Sequence, residues 1–425
     1  MAAHTLAQKL IARASQRQEV AVNEIVTCAV DLAMFHDSSG PRRLKPMLEK
    51  LGAQIWDKSK VVLVMDHYVP EEDDDSRRIL KIARDWATEQ QLPNVYDSIG
   101  ICHVVLPQKG HLRPGMFCVG GDSHSPTGGA FGAYMFGIGS TEMLGVVVTG
   151  EIWVRTPPTI AMDWSGQLPA GVTAKDMMLH MIGLYGTNGA NYAAVEYTGS
   201  AVSALSMQER MTLSNMSAEL GAQVGLIAPD QITLDYLASV GVNADVDLDY
   251  WRSDATAQRD VRSFDASTLS PMVAAPHSPD NVHSVDQMRD TPVQVAYIGA
   301  CTGAKLEDLR AAAAVLKGQR VDSGVRLMVA PATLRDQQDA QNEGIMDILL
   351  DAGAQVFATS CGACSGYGNA LKGAANVISS TARNFKGRMG SADTQVYLAS
   401  PYTVAASALT GRISDPRIVL AEGKQ

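Results

Sequence analysis

The chain has 425 residues, more than one hydrophobic core normally organises, so we expect two or three domains. An apolar fraction of 46% and a charged fraction of 19% are typical of a globular protein and exclude a disordered chain. The net charge is −10 and no long run of Lys or Arg occurs, so we expect no nucleic acid as the main partner. An anionic substrate is still compatible with this charge, because a few arginines can reverse the field inside a pocket.

The cysteine content and the apolar windows indicate a reducing compartment and no membrane partner. Six cysteines in so long a chain do not make a disulfide framework. Cys28, Cys102 and Cys118 lie in apolar surroundings, which is typical of small core residues. The long apolar window 130–148 is rich in Gly and Ala and contains Glu142, which favours a buried turn and helix over a membrane span. We therefore expect a cytoplasmic protein.

Short apolar runs alternate with helical patterns through most of the chain. In chain order we predict a helix over 5–17, a strand over 61–65, a helix over 74–90, a strand over 104–106, a helix over 174–184, a strand over 293–298, a helix over 306–316, a strand over 325–329 and a helix over 334–352. This alternation predicts an α/β fold with mainly parallel sheets. The segment 254–291, rich in Ser, Pro, Asp and His, predicts a linker. We place domains over 1–160, 161–285 and 286–425.

Three candidate site residues come at or just after the ends of predicted strands. Asp66 and His67 come after the strand 61–65, and Cys301 comes shortly after the strand 293–298. Ligands bind at the carboxyl ends of strands in parallel α/β proteins, so these positions suit a functional site.

Three cysteines in the C-terminal third are the strongest candidates for metal ligands. Cys361 and Cys364 form a Cys-x-x-Cys pair in a glycine-rich loop, and Cys301 stands 60 residues before them. Such a pair is compatible with a redox dithiol, half of a zinc site, two of the three ligands of an iron–sulfur cluster, or buried cysteines without chemistry. Three thiolates leave one iron of a four-iron cluster open to another ligand.

Histidines close to carboxylates are a second group of candidates. Asp122, Ser123 and His124 follow one another in a glycine-flanked loop, which is either a polar turn or a ligand-binding loop. Asp66 stands beside His67, and a carboxylate that holds an imidazole raises its pKa, which suits a general acid.

These motifs, with the segments around them, resemble the aconitase superfamily, in particular the large subunits of 3-isopropylmalate dehydratase. The resemblance covers nearly the whole chain and is carried by residues 30–37, 65–70, 100–103, 121–124, 137–142, 209–219 and 383–388 together with the three cysteines. It implies three aconitase-like α/β/α domains around a central cluster site. The implied activity is that of a hydro-lyase that isomerises a hydroxy diacid, 3-isopropylmalate and 2-isopropylmalate in the first place.

The resemblance also implies roles for individual residues. Cys301, Cys361 and Cys364 would bind a [4Fe-4S] cluster, and its open iron would take the hydroxyl and a carboxylate of a hydroxy di- or tricarboxylate substrate. His67, paired with Asp66, would be the acid that helps the hydroxyl leave. The other implied site residues are His103 with Asp122 and His124 with Glu219 as imidazole–carboxylate pairs, Asn215 beside the cluster, and His36, Ser123, Arg383 and Arg388 as substrate contacts.

One catalytic element of the superfamily does not occur in this sequence. The base there is a serine in a separate swivelling domain, beside a loop of the Gly-Ser-Ser-Arg type, and this chain has no such motif. We therefore expect a small partner subunit of about 160 to 200 residues that supplies this domain.

The chain departs from the family pattern at three positions, Gly303, Ala363 and Ala382, where the family commonly has Asn, Pro and Asn. These positions lie near the expected cluster or substrate carboxylates, so they bear on the substrate more than on the fold. The alternatives are a related hydratase of the homoaconitate, citramalate or dimethylmalate type, or a non-catalytic RNA-binding or redox protein.

Overall fold

The fold is built on three mainly parallel sheets that follow one another along the chain. The structure is a computed structural model and describes residues 3–368 and 370–422. Several parallel sheets with helices between their strands confirm the predicted α/β class. No helix among the described residues is both long enough and apolar enough to cross a membrane.

The first sheet has five parallel strands in the order β4-β3-β2-β5-β6, and β1 and β7 form a separate antiparallel ribbon. Thr5 caps the first helix, because its side chain accepts a hydrogen bond from the Gln8 N–H. The elements of this part are α1 (Leu6–Ala14), β1 (Ile25–Ala29), β2 (Leu32–His36), α2 (Pro41–Leu51), β3 (Val61–Met65), α3 (Asp74–Gln90), β4 (Asn94–Asp97), α4 (Cys102–Gln108), β5 (Phe117–Gly120), a 3₁₀ helix (Ser125–Phe131), β6 (Tyr134–Gly137), α5 (Ser140–Thr149) and β7 (Glu151–Arg155).

The second sheet has four parallel strands in the order β10-β9-β8-β11. Its helices carry several buried methionines and leucines that form one apolar core with the sheet. The elements are β8 (Thr159–Ser165), α6 (Ala174–Tyr185), β9 (Ala194–Thr198), α7 (Ser200–Ser203), α8 (Met207–Met216), β10 (Val224–Leu226), α9 (Gln231–Ser239) and β11 (Asp260–Asp265).

The third sheet has seven strands in the order β13-β12-β18-β17-β14-β15-β16. Strand β12 runs antiparallel to both of its neighbours, and the other pairs are parallel. The elements are β12 (Met272–Ala274), β13 (Val282–Ser284), β14 (Val295–Ile298), α10 (Leu306–Leu316), β15 (Arg326–Val329), α11 (Leu334–Asn342), α12 (Ile345–Ala352), β16 (Gln355–Val356), a 3₁₀ helix (Gly362–Ser365), β17 (Asn376–Ser379), β18 (Gln395–Ala399), α13 (Pro401–Thr410) and α14 (Pro416–Glu422).

Three local predictions were wrong or incomplete. The expected strand 104–106 is part of α4, in which every residue from Cys102 to Pro107 is buried; a short apolar run does not distinguish a buried strand from a buried helix. The expected linker 254–291 contains β11, β12 and β13, and β11 looks polar because it is an exposed edge strand. The expected helix 334–352 is two helices, since Gly344 between them adopts a left-handed backbone with φ of 72°. The domain boundaries expected after residues 160 and 285 remain predictions.

Candidate active site

Parallel strands of the first sheet deliver several polar side chains to one edge. His36 is the last residue of β2, Asp66 follows β3 directly, and Asp122 comes two residues after β5. Strand β2 lies between β3 and β5, so the three carboxyl ends are neighbours. The architecture thus gathers these groups where a ligand of a parallel sheet is expected to bind.

Asp66 and His67 form a short ion pair at this edge. His67 Nδ1 lies 2.7 Å from Asp66 Oδ1, and the other carboxylate oxygen of Asp66 accepts the Cys102 N–H at 2.7 Å. Burial disfavours the charged imidazole, but the charge and hydrogen bond of Asp66, with the charges of Asp37 and Asp122, raise the pKa of His67 to about 10. His67 therefore carries a proton at neutral pH.

Asp37 fixes the loop that bears this pair. Its carboxylate accepts three backbone N–H groups, from Asp66 at 3.3 Å, His67 at 3.1 Å and Tyr68 at 2.7 Å. Burial opposes ionisation, but hydrogen bonding and the charges of His36 and His67 lower the pKa of Asp37 to about 2. Asp37 is fully buried and is a site residue that the sequence analysis did not select.

Asp122 is the carboxylate around which the imidazoles meet. Its Oδ1 lies 2.6 Å from His103 Nε2 and accepts the His124 N–H at 2.7 Å. Its Oδ2 faces the Nε2 atoms of His36 and His67 at 3.7 and 3.9 Å, and these two rings stack with centroids 3.8 Å apart. Burial opposes ionisation, yet His103 and the other imidazoles hold the pKa of Asp122 well below its usual range.

The imidazoles of His67 and His103 differ in protonation. Burial is the largest influence on His103 and outweighs the attraction of Asp122, so the pKa of His103 is lowered. His103 is neutral at pH 7, whereas His67 is a cation. Of this pair, His67 is the one that has a proton to give.

Glu219 joins an imidazole to an arginine across the site. Its Oε1 lies 3.1 Å from His124 Nε2 and accepts a hydrogen bond from Arg383 Nε at 2.7 Å. Arg383 also donates from its Nη1 to the Ser123 hydroxyl at 2.9 Å. Burial opposes the charge of Glu219, but His124 and Arg383 lower its pKa, so it stays a carboxylate. Two of the three guanidinium nitrogens of Arg383 are therefore held while its side chain reaches the cleft.

The three cysteines lie in loops of the third sheet beside these groups. Cys301 follows β14, Cys361 directly precedes the 3₁₀ helix that follows β16, and Cys364 lies within that helix. The Cys361 N–H donates to the Asp66 carbonyl at 2.9 Å, which ties the cysteine loop to the Asp66–His67 pair. Asn215 of α8 donates from Nδ2 to Cys301 Sγ at 3.2 Å. The folded chain thus brings together residues that are far apart in sequence.

The chemistry of these thiols suits a cluster more than a single ion. Burial, and then the charge of Cys364, raise the pKa of Cys301 to about 12, so this thiol needs a bound metal to ionise. Among the described residues, the groups of three or more potential ligands within 4.8 Å of one another are His36–Asp37–Asp66–His67 and His103–Asp122–His124, without a cysteine. A cluster accepts wider spacing, because each thiolate binds a different iron. The donor set and the Asn215 hydrogen bond to Cys301 fit a bound iron–sulfur cluster.

Two fully buried lysines hold the backbone around Cys301 and were not selected from the sequence. Lys175 Nζ donates to the Ser380 carbonyl, to the Thr381 carbonyl at 2.7 Å and to the Thr302 hydroxyl at 3.4 Å. Lys305 Nζ donates to the Cys301 carbonyl at 3.1 Å. These contacts join α6 and the start of α10 to the loops that bear Cys301 and Arg383.

The departure from the family pattern at Gly303 has a local structural reason. A β-carbon at position 303 would lie 2.2 Å from the Ser380 β-carbon, so no side chain fits there while Ser380 keeps its place. The Ser380 hydroxyl contacts the Gly299 and Gly303 carbonyls at 3.1 Å each. Ala382 and Ala363 are both buried in one apolar cluster.

A cleft of about 560 Å³ opens over the site. It is lined by His36, His67, Asp122, Ser123, Arg383 and Arg388, and also by Arg43, which the sequence analysis did not select. The other predicted residues lie directly behind this lining. Asp66 pairs with His67, His103 and His124 contact Asp122, Glu219 contacts Arg383, and Cys361 donates to the Asp66 carbonyl. Asn215 donates both to Cys301 and to the Thr127 hydroxyl, which donates to the His124 carbonyl at 2.7 Å, and Cys364 directly precedes Ser365 of the lining. All predicted site residues therefore lie in or directly behind one cleft, and their roles remain proposals.

Comparisons with known proteins show which family the chain is similar to. The family model for the aconitase family (aconitate hydratase) matches residues 8–411. A 3-isopropylmalate dehydratase large subunit 1 from Methanopyrus kandleri is 41% identical over 97% of this chain and 99% of its own length. A 3-isopropylmalate dehydratase large subunit from Oleidesulfovibrio alaskensis is 40% identical over 98% of this chain and 99% of its own length.

A solved structure shares the fold. The holo-form of Thermococcus kodakaraensis aconitase X superposes with a TM-score of 0.52 over 93% of this chain and 90% of that chain, at 10% sequence identity. The identity is too low to transfer more than the fold. The family match and the two full-length relatives show that this chain belongs to the aconitase family.

Proposed function

We propose that this chain is the iron–sulfur large subunit of a hydro-lyase that interconverts 3-isopropylmalate and 2-isopropylmalate. The observation that supports the proposal is the hydrogen bond from the Cys361 N–H to the Asp66 carbonyl, because it joins the cysteine loop to the Asp66–His67 pair. The names of the relatives, which are 3-isopropylmalate dehydratase large subunits, support the choice of substrate.

The proposed cofactor is a [4Fe-4S] cluster on Cys301, Cys361 and Cys364, which would supply a Lewis acid for the hydroxyl and one carboxylate of the substrate. Asn215 would stabilise the Cys301 thiolate through its existing hydrogen bond of 3.2 Å. The Cys361 N–H, held by the Asp66 carbonyl, would fix the loop of the other two thiolates.

His67 is the proposed acid of the dehydration. It carries the proton that the departing hydroxyl needs to leave as water, and its pKa of about 10 keeps that proton in place at neutral pH. Asp66 holds the ring through Nδ1, so Nε2 faces the cleft side. In the reverse reaction the same imidazole takes the proton back from the attacking water.

Arg383 and Arg388 are the proposed anchors for the substrate carboxylates. Arg383 is oriented by Glu219 and Ser123, and both arginines line the cleft. A planar guanidinium binds a carboxylate through two hydrogen bonds, which fixes the carbon skeleton as well as its charge.

The base that removes the proton next to the carboxylate is proposed to come from a small subunit. This sequence lacks the Gly-Ser-Ser-Arg type of loop, and the relatives are named large subunits, which implies a second chain. We propose that a serine of that subunit completes the site. The large subunit alone should then bind a cluster but turn over no substrate.

The test is anaerobic co-expression with the candidate small subunit, followed by hydration assays on unsaturated diacids of the isopropylmalate, homoaconitate, citramalate and dimethylmalate types. We expect turnover with the isopropylmalate type and loss of both iron and activity in Cys361→Ser. The matched control is Cys118→Ser, a buried cysteine in β5, which should keep both. An intact cluster without turnover of any of these acids would contradict the proposed reaction, and turnover of another acid would correct the substrate.

A further inference from the structure

Tyr297 places a hydroxyl group between the two cysteine loops. It lies on β14, which is paired on both sides by β15 and β17, and it is 1% exposed. A β-carbon at Gly299 would lie 2.5 Å from the Tyr297 hydroxyl, and one at Gly362 would lie 3.7 Å from it. Gly299 is two residues before Cys301 and Gly362 directly follows Cys361, so the hydroxyl faces both loops.

Among the residues that the structure describes, the Tyr297 hydroxyl has no hydrogen-bond partner. Buried tyrosine hydroxyls normally find one, and leaving one unpaired costs free energy. Two other fully buried tyrosines of this chain follow the rule, since Tyr134 donates to Gln223 at 2.7 Å and Tyr197 contacts the Ser217 hydroxyl at 2.7 Å. Tyr297 is the exception among the three, and its hydroxyl faces the loops that bear Cys301 and Cys361.

The Tyr297 O–H is a hydrogen-bond donor, and a negatively charged sulfur atom is a suitable acceptor for it. A phenol O–H is a good donor, and the loops that bear Cys301 and Cys361 face this hydroxyl. Hydrogen bonds to the sulfur atoms of iron–sulfur clusters are one of the main influences on their reduction potentials. The donor stabilises negative charge, and it does so more in the reduced cluster than in the oxidised one.

We infer that Tyr297 donates a hydrogen bond to a sulfur atom of the cysteine-bound cluster and thereby raises its reduction potential. Tyr297 is in this sense a positioning residue for the cofactor, not a catalytic one. The inference rests on the cluster of the proposed function but not on the identity of the substrate.

The experiment compares wild type, Tyr297→Phe and Tyr134→Phe, each reconstituted anaerobically and assayed for iron and sulfide. The cluster potential is measured by redox titration, and exchangeable protons near the reduced cluster are measured by electron–nuclear double resonance in H₂O and D₂O. The stability of each apoprotein is measured by urea unfolding. Tyr134→Phe is the control, because it removes a buried hydroxyl that has a protein partner.

We expect Tyr297→Phe to load fully, to shift the potential to a more negative value and to lose one exchangeable proton signal. Its apoprotein should unfold at a urea concentration no lower than wild type, whereas Tyr134→Phe should unfold earlier with an unchanged potential. A fully loaded Tyr297→Phe with the wild-type potential would overturn the inference, and so would an early-unfolding apoprotein, because the hydroxyl would then have a protein partner. A wild-type chain that binds no iron would overturn the proposed cofactor itself.

Discussion

At the scale of single residues, His67 differs from the other imidazoles because three carboxylates surround it. Asp66, Asp37 and Asp122 together outweigh its burial and raise its pKa to about 10. A general acid for a poor leaving group needs such a retained proton. His103 is connected to His67 through the carboxylate of Asp122. Because His103 is neutral, it is better suited to accept a hydrogen bond or a proton.

The raised pKa of His67 predicts a pH-dependent stability of the apoprotein. His67 keeps its proton up to a pH of about 10 in the folded protein. In the unfolded chain it keeps the proton only up to its ordinary pKa of 6.5. Its contribution is therefore complete below pH 6.5 and is lost as the pH rises toward 10. We expect the difference in free energy of unfolding between wild type and His67→Gln to shrink with pH across this window, by at most about 1.4 kcal/mol per pH unit.

The measurement is urea unfolding of both apoproteins at several pH values, with His180→Gln as control. His180 is half-buried and its pKa is lowered by that burial, so its variant should differ from wild type by a constant amount above pH 7. A His67→Gln difference that stays constant from neutral pH to pH 10 would contradict the proposed protonation of His67.

The contacts of Arg383 predict that replacing it weakens substrate binding, even when the replacement is a lysine. Its Nε and Nη1 donate to Glu219 and Ser123, and an ammonium cannot reproduce that planar orientation. For Arg383→Lys we expect kcat/KM to fall about 10²-fold, in line with about 2–3 kcal/mol for a charged hydrogen bond. Steady-state kinetics of the two-subunit complex measure this. Arg289→Lys, an exposed arginine paired with Asp286, should leave kcat/KM unchanged, and an equal loss in both variants would argue against the role of Arg383.

At the scale of the elements, Asp37 fixes the backbone that follows a neighbouring strand. Directly after β2, its carboxylate gathers the N–H groups of residues 66–68, which follow β3. In Asp37→Asn the amide nitrogen replaces one acceptor oxygen, so at least one buried N–H loses its partner. We expect the apoprotein to lose about 1–3 kcal/mol in urea unfolding. The exposed capping carboxylate of Asp57 is the matched control, and Asp57→Asn should cost much less.

The strands and helices also show what the sequence allowed us to predict. Asp74–Gln90 and Leu306–Leu316 are helices with the predicted bounds, because a continuous amphipathic period and capping residues specify them locally. The helix Cys102–Gln108 was mistaken for a strand, since it is buried on all sides and has no polar face to reveal its period. Strand β11 was missed because its residues alternate little and only β8 pairs with it.

The site was predictable to the extent that its residues stand in recognisable motifs. The cysteines, the histidine–carboxylate pairs and Arg383 do, and the structure brings them together. Asp37, Lys175 and Tyr297 do not, because their function depends on which backbone groups or loops they meet after folding. Only contacts across the sheets and helices single them out.

At the scale of the whole molecule, buried charges connect the second and third sheets behind the site. Lys175 of α6 donates to two carbonyls just before Arg383 and to Thr302 just after Cys301. Burial lowers the pKa of Lys175 to about 8, although the charge of Asp308 opposes the shift, so the ammonium is still the main form at pH 7. One side chain therefore holds two loops of the site.

We expect Lys175→Met to loosen these loops selectively. Hydrogen exchange of amides 379–384 should become faster in the apoprotein, because the Ser380 and Thr381 carbonyls lose their shared donor. The control is Lys9→Met, which removes another buried ammonium that contacts the Tyr250 and Arg252 carbonyls. It should lower stability without changing exchange at 379–384, and equal exchange in wild type and Lys175→Met would contradict the assigned role.

The central claim is that three cysteines leave one iron of the cluster for the substrate. The most direct measurement is the Mössbauer spectrum of the ⁵⁷Fe-reconstituted two-subunit complex with and without isopropylmalate. The account predicts that the signal of one iron in four changes when the acid is added, while the other three keep theirs. A cluster whose four irons are all unaffected by the acid would contradict it.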